Sequence, residues 1–330
     1  MRFSVIGAGG WGSAFARVIA NCGHNVILWA RDPVNASAID RLRENRRYLP
    51  GVILPQNNLR ITASLEEATD SEILVLAVPS FAVGEVVEKI AVLLGSVGRK
   101  IFINLAKGLD RSSGKRLSAV IGEKTNPKAV FILSGPSHAE EVGRDMPTAV
   151  VLAGENIALG KEIQASLSTP RFRIYLSDDI KGVEYCSTIK NIIAIATGVT
   201  DGLGYGDNSR GAVITRGLAE MVRFGRVFDV QEETLFGLSG LGDLVTTCTS
   251  KHSRNRRVGY QIGQGEPITE ILNQMEMVAE GVHATEIIHR LTVREGIEMP
   301  ITKAVHHLLY EKGDPLTTLG ALMTRPLKRE

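Results

Sequence analysis

Cysteine is scarce in this 330-residue chain: Cys22, Cys186 and Cys248 are an odd number at wide separations, with no Cys-x-x-Cys pair. That argues against a disulfide framework. The seven histidines include no His-Glu-x-x-His spacing, so no metal is expected. Excess charge is lacking as well, the net value being +2, which leaves no global field to draw the chain onto nucleic acid or an anionic membrane. No apolar run reaches the roughly 18 residues of a membrane span. The nearest, residues 185–200, is interrupted by Lys190 and Asn191. The uncharged stretch from Phe3 to Ala16 behind Arg2 has the length of a signal-peptide core, but four glycines lie within it. Internal repeats and low-complexity tracts are absent. Together these gaps predict a cytoplasmic protein with no membrane span and no nucleic-acid partner.

What remains is ordinary globular composition, 44% hydrophobic and 22% charged, with one excess. Glycine occurs 34 times without a collagen period, against a usual share of about 7%. Either loops are abundant or backbone must approach a ligand closely. The length suits two domains. Through the first half, apolar runs at Phe3–Ile6, Asn25–Trp29, Ile73–Val78, Ile101–Leu105 and Ala129–Leu133 alternate with helical spacers. Such unbroken runs suit strands buried on both faces, and the spacers supply crossovers, so a doubly wound, mainly parallel α/β sheet is expected. Thr148–Leu152 and Phe172–Leu176 read as additional edge strands. From Asp178 onward the pattern is helical, with stretches such as Arg210–Arg223 and Ile268–Met277. The expected division is therefore 1–178 for a dinucleotide-binding domain and 179–330 for an all-α substrate domain, ending in a loose tail from Arg325.

Gly7-Ala8-Gly9-Gly10-Trp11-Gly12 is a Gly-x-Gly-x-x-Gly that begins where the first strand ends and opens a helix. There the glycines permit the turn, admit a pyrophosphate against backbone amides and let the helix pack on the sheet. A glycine-rich turn without a ligand is the competing reading. Nineteen positions after Gly12, where an acidic ribose selector would favour NAD, stands Arg31. Arginine suits a 2′-phosphate, so NADP(H) is favoured, while Asp32 keeps NAD(H) open. A merely solvated strand-end charge remains the alternative for Arg31.

Ligands of such sheets lie beyond the carboxyl ends of the strands. That draws attention to Val78-Pro79-Ser80, Ala106-Lys107-Gly108 and Ser134-Gly135-Pro136-Ser137-His138-Ala139. Lys107 can hold a substrate oxygen, and Gly135 and Ser137 can line the site, though ordinary turn chemistry also explains the latter. Lys190 is the only charge between Glu184 and Asp201. On a helix it shares a face with Val183, Cys186, Ser187, Ala194 and Thr197, which would desolvate it and suit it to general acid–base work. A lysine whose head snorkels to water is the other reading. Asp243, in Gly240-Leu241-Gly242-Asp243, either orients a catalytic lysine or caps a helix. The run Lys251-His252-Ser253-Arg254-Asn255-Arg256-Arg257 is the densest cationic cluster. It suits a phosphate dianion, against a solvated basic face or a nucleic-acid patch.

Taken in order, these residues resemble the bacterial-type NAD(P)-dependent glycerol-3-phosphate dehydrogenases nearly end to end. Besides the glycine motif, the markers are Tyr48-Leu49-Pro50, Val78-Pro79-Ser80, Lys107-Gly108-Leu109, Gly135-Pro136-Ser137, Lys190-Asn191, Asp201-Gly202-Leu203-Gly204, Thr215-Arg216-Gly217-Leu218-Ala219-Glu220, Gly240-Leu241-Gly242-Asp243-Leu244, Ser253-Arg254-Asn255-Arg256 and Glu280-Gly281. The resemblance implies a Rossmann-type first domain and a reaction between sn-glycerol 3-phosphate and dihydroxyacetone phosphate. It implies Lys190 as proton donor or acceptor, Lys107 as a second active-site lysine and Asp243 as the catalytic aspartate. Substrate positions would be Lys107, Gly135, Ser137, Lys190, Asp243, Ser253, Arg254 and Asn255. Cofactor positions would be Gly7, Gly9, Gly10, Trp11, Gly12, Arg31, Tyr48, Lys107, Ala139, Arg254, Val278 and Glu280. His138 departs from the phenylalanine that many members carry. The family also implies a homodimer that supplies glycerol phosphate for phospholipid synthesis. Two other readings stand beside it: a two-domain β-hydroxyacid-type dehydrogenase, and a non-catalytic NADP-binding regulator that uses residues 251–257 on nucleic acid.

Overall fold

The computed structural model describes residues 1–327 and forms two compact units, Met1–Glu184 and a second from Tyr185 on. The first is built on one eight-stranded sheet. Its strands are β1 (Arg2–Ile6), β2 (Asn25–Trp29), β3 (Leu59–Thr62), β4 (Ile73–Leu76), β5 (Ile101–Asn104), β6 (Ala129–Ser134), β7 (Thr148–Ala153) and β8 (Phe172–Ser177). They lie in the order β3-β2-β1-β4-β5-β6-β7-β8. Every neighbouring pair is parallel except β6 and β7. Phe3 sits opposite Val26 on one side and Ile73 on the other, which puts β1 at the centre of the parallel part.

Side chains alternate across the sheet, and both faces are covered. Phe3 and Val5 join Phe15, Ile19 and Leu28 in one apolar cluster, while Ile6 joins Leu74, Leu76, Val83 and Phe102 in the other. Burial on both faces is why these strands read as unbroken apolar runs. The order of the strands reverses at β1 and β4, the point at which ligands bind in sheets of this kind.

Three boundaries differ from expectation. β3 is a strand the apolar pattern passes over, because only Leu59 and Ile61 are buried and Arg60 between them is exposed. β7 is internal, the true edges being β3 and β8. The short return through the helix Ala139–Val142 brings β7 back alongside β6, hence the one antiparallel pair. The first unit also runs past residue 178. Helix Ile180–Gly202 starts on it, with Ile180 and Val183 against Ile132 and Ala153. The Glu184 carboxylate accepts from the Ser118 amide at 2.8 Å, from the Ser118 hydroxyl and from Arg116. Burial raises the Glu184 carboxyl above its usual range, and those bonds offset part of the rise.

The second unit is helical, with no strand among the described residues. Helix Asp207–Val227 contains the expected 210–223, and Ile268–Asn273 stops short of Met277 as the chain turns toward the next helix, Glu280–Glu295. Helices Ile180–Gly202 and Arg254–Gly263 meet backbone to backbone. A Cβ on Gly198 would lie 2.0 Å from the Arg256 carbonyl oxygen, and one on Gly259 would lie 1.9 Å from that of Ile195. The helix Pro315–Met323 is followed by Arg325–Leu327 without regular structure, and the last three residues of the expected tail lie outside the described residues.

Candidate active site

In the first unit, β1 runs into the glycine loop and the helix Gly10–Asn21. Gly7 has φ +123, a backbone that L side chains rarely adopt, and its amide donates to the Trp29 carbonyl at 3.1 Å. A Cβ on Gly12 would lie 1.9 Å from the Gly7 carbonyl oxygen, so the helix packs here only as glycine. Gly9 is the N-cap, and a Cβ built on it meets nothing within 4 Å. Gly10 faces the Tyr48 carbonyl oxygen, 2.7 Å from its Cβ position, and the Ala139 side chain at 3.5 Å. Tyr48 and Ala139, far apart in sequence, thus flank the loop.

A dinucleotide fits this cradle. The loop offers open backbone, and the buried indole N–H of Trp11 has no hydrogen-bond partner among the described residues. A buried donor left unmet is rare enough to point to a missing partner. Arg31 is exposed just beyond β2, and Asp32 is the N-cap of the next helix, accepting from the Val34 amide at 3.0 Å.

The loops after β5 and β6 converge as expected. Lys107 Nζ donates to the Gly135 carbonyl at 3.0 Å and lies 3.4 Å from Ser137 Oγ. The Ser137 hydroxyl itself donates to the Gly135 carbonyl at 2.8 Å. His138 is the N-cap residue of the helix Ala139–Val142.

In the second unit, Lys190 does not snorkel. Its Nζ sits 2.6 Å from Asp243 Oδ1, with the two side chains only 5% and 3% exposed. It also donates to Thr247 Oγ1 at 2.7 Å. Burial disfavours the ammonium, and the adjacent carboxylate favours it. Asp243 opens the helix Asp243–Thr249 directly after a π-helical turn, Leu238–Gly242, an element that often marks functional positions. Thr247 lies one turn on from Asp243, and its hydroxyl donates to the Asp243 carbonyl at 2.6 Å. Cys248 beside it is fully buried, which pushes its thiol up to about 12 and keeps it neutral.

The cationic cluster is largely committed. Ser253 caps helix Arg254–Gly263 by accepting from the Arg256 amide at 3.2 Å. Arg254 donates to the Val278 carbonyl at 2.8 Å, and Arg256 pairs with the buried Asp201 at 2.7 Å. Asn255 Nδ2 donates to Asn191 Oδ1 at 2.8 Å, while its Oδ1 accepts from the Gly281 amide at 2.9 Å, next to Glu280. Ser253, Arg254, Asn255, Val278 and Glu280 therefore form one neighbourhood. Thr247 and Asn191 are the residues that the sequence reading did not single out as site residues. Their signals were the i+4 spacing from Asp243 and adjacency to Lys190. Among the described residues, no three His, Cys, Asp or Glu side chains are grouped to hold a metal ion, and no helix is long and apolar enough to cross a membrane.

Comparison with known proteins identifies the family. The family described as NAD-dependent glycerol-3-phosphate dehydrogenase N-terminus matches residues 2–159, and its C-terminus counterpart matches residues 179–319. Glycerol-3-phosphate dehydrogenases [NAD(P)+] of Prosthecochloris aestuarii and Pelodictyon phaeoclathratiforme are 46% and 45% identical, over 100% of this chain and 100% and 99% of theirs. The crystal structure of glycerol-3-phosphate dehydrogenase from Coxiella burnetii superposes with a TM-score of 0.94 at 39% identity, covering 98% of this chain and 99% of that one. With both parts matched and relatives similar over their full length, this chain belongs to the NAD-dependent glycerol-3-phosphate dehydrogenase family.

Proposed function

We propose that the protein interconverts sn-glycerol 3-phosphate and dihydroxyacetone phosphate, using NADP(H) in preference to NAD(H). The observation that supports this reading is the buried Lys190–Asp243 pair steadied by Thr247, which gives a proton-transfer group a fixed position. The nicotinamide cofactor, when bound at the glycine loop, supplies the hydride for the carbonyl carbon. Lys190 gives a proton from Nζ to the carbonyl oxygen as it becomes an alkoxide, and takes it back in the oxidative direction. Asp243 and Thr247 hold that ammonium in place. Lys107, anchored on the Gly135 carbonyl beside Ser137, polarises and orients the substrate. Arg254 and Asn255, with the Ser253 cap, bind the remote phosphate, whose binding energy fixes the carbonyl for attack.

The same reading assigns Arg31 to the 2′-phosphate, and Trp11, Tyr48, Ala139, Val278 and Glu280 to the cofactor. It also assigns the chain a homodimeric state, a cytoplasmic location and the role of supplying glycerol phosphate for phospholipid synthesis, all on family resemblance. Pairing of Arg256 with Asp201 neutralises part of the charge that a nucleic-acid patch at residues 251–257 would need. The test is NADPH oxidation by the purified protein on adding dihydroxyacetone phosphate, run beside NADH. Faster turnover with NADPH is expected, and no oxidation of either cofactor would reject the assignment.

A further inference from the structure

Asn45 is a buried polar residue, 1% exposed, that the reaction described above does not use. It lies in the loop after helix Pro33–Leu42, which is closed by the bridge between Glu44 and Ile53. Its Nδ2 donates to the Ala8 carbonyl at 2.9 Å and to Ser13 Oγ at 2.8 Å, and its Oδ1 accepts from the Tyr48 amide at 3.3 Å. The amide orientation is forced, because the Ala8 carbonyl only accepts and the Tyr48 N–H only donates. One side chain therefore ties together the glycine loop, the first helix and the segment whose carbonyl covers Gly10.

The consequence lies in the Ala8–Gly9 peptide. It is trans, so the Ala8 C=O and the Gly9 N–H point in opposite directions from one plane. By holding the Ala8 carbonyl toward its own buried amide, Asn45 turns the Gly9 N–H the other way, and the surroundings of Gly9 are open enough that a Cβ there would meet nothing within 4 Å. We infer that Asn45 is a positioning residue that presets the Gly9 amide for the cofactor's pyrophosphate, by locking the Ala8–Gly9 peptide against flipping. This rests on the reading that a dinucleotide binds at the glycine loop. Glycines make that loop easy to turn, and each amide ordered before binding spares an entropic cost afterwards. Ser13 makes the lock two-pronged, since both N–H groups of the amide are occupied.

The test uses Asn45→Asp, which keeps an acceptor for the Tyr48 amide but sets a carboxylate oxygen where the Ala8 carbonyl needs a donor. Asn45→Ala, which introduces no charge, carries the same test if the aspartate variant does not fold. Affinities for NADPH and for 2′-AMP, which lacks the pyrophosphate, are measured by titration on the full-length protein. NADPH should bind about tenfold more weakly, the effect of one lost hydrogen bond to a charged group, while 2′-AMP binds within twofold of wild type. In steady state, KM for NADPH should rise by the same factor, with little change in KM for dihydroxyacetone phosphate. Equal loss of both nucleotide affinities would mean a general loosening and overturn the proposal, as would no loss of either. Failure of wild type itself to bind NADPH would instead reject the dinucleotide reading.

Discussion

Replacing the buried ion pair separates what Lys190 does for stability from what it does for the reaction. Its Nζ is 2.6 Å from Asp243 Oδ1, and both side chains are at least nineteen-twentieths buried. Lys190→Met removes the cation that offsets a buried carboxylate, and breaking a buried pair from one side costs about 3–5 kcal/mol. For a helical unit of this size the melting temperature should fall by on the order of 10 °C. Asp243→Leu should do likewise by stranding the ammonium. The double variant Lys190→Met with Asp243→Leu removes both charges and should regain most of the loss, because the desolvation penalty disappears with them. Turnover should not return. Loss of a general acid lowers it by about 10²–10⁴-fold, or roughly 3–5 kcal/mol of barrier, in the single lysine variant and in the double one alike. Urea unfolding gives the stabilities, and NADPH oxidation with saturating dihydroxyacetone phosphate gives the rates. Near-wild-type turnover in Lys190→Met would remove that residue from proton transfer. A double variant no more stable than either single one would refute the energetic reasoning.

Glu220 accepts from the Ile301 and Thr302 amides and the Thr302 hydroxyl, yet burial raises its carboxyl to about 7. Because its unperturbed value is 4.5, the folded state keeps this proton longer, and stability is lost as pH rises between 4.5 and about 7. The stability of wild type relative to Glu220→Gln should therefore fall by about 3 kcal/mol from pH 4 to pH 8, and a pH-independent difference in urea melts would contradict it. Gly259→Ala drives a Cβ to within 1.9 Å of a carbonyl that cannot rotate away, so it should cost about 1–3 kcal/mol or more and raise KM for dihydroxyacetone phosphate. An unchanged melting temperature would show that the two helices part without penalty. Arg31→Asp should shift the preference for NADPH over NADH by about tenfold or more, read from kcat/KM with each cofactor. An unmoved ratio would end the selector role.

Much of this protein is written in local pattern. Strands buried on both faces leave unbroken apolar runs, so β1, β2, β4, β5 and β6 were legible, and the parallel arrangement followed from their helical spacers. β3 was not, because an edge strand with one exposed residue between two buried ones carries little signal. Nor was the place of β7, since pairing partners are chosen by the path of the chain rather than by the strand's own composition. The site divides in the same way. Gly7 and Gly12 were readable because a left-handed turn and a close backbone approach each demand glycine locally. The isolation of Lys190 among uncharged neighbours marked it as unusual, but two readings stood until the tertiary structure set Asp243 and Thr247 against it. Asn45 passed unnoticed altogether. A lone asparagine in a polar loop has no signature of its own, and its three bonds exist only because folding brings Ala8, Ser13 and Tyr48 around it. The sequence alone determined the strands of the parallel core, the glycine turn and the family, all encoded by neighbours along the chain. Only the tertiary structure decided which polar groups are buried and what they hold, since burial and partnership are made between residues distant in sequence.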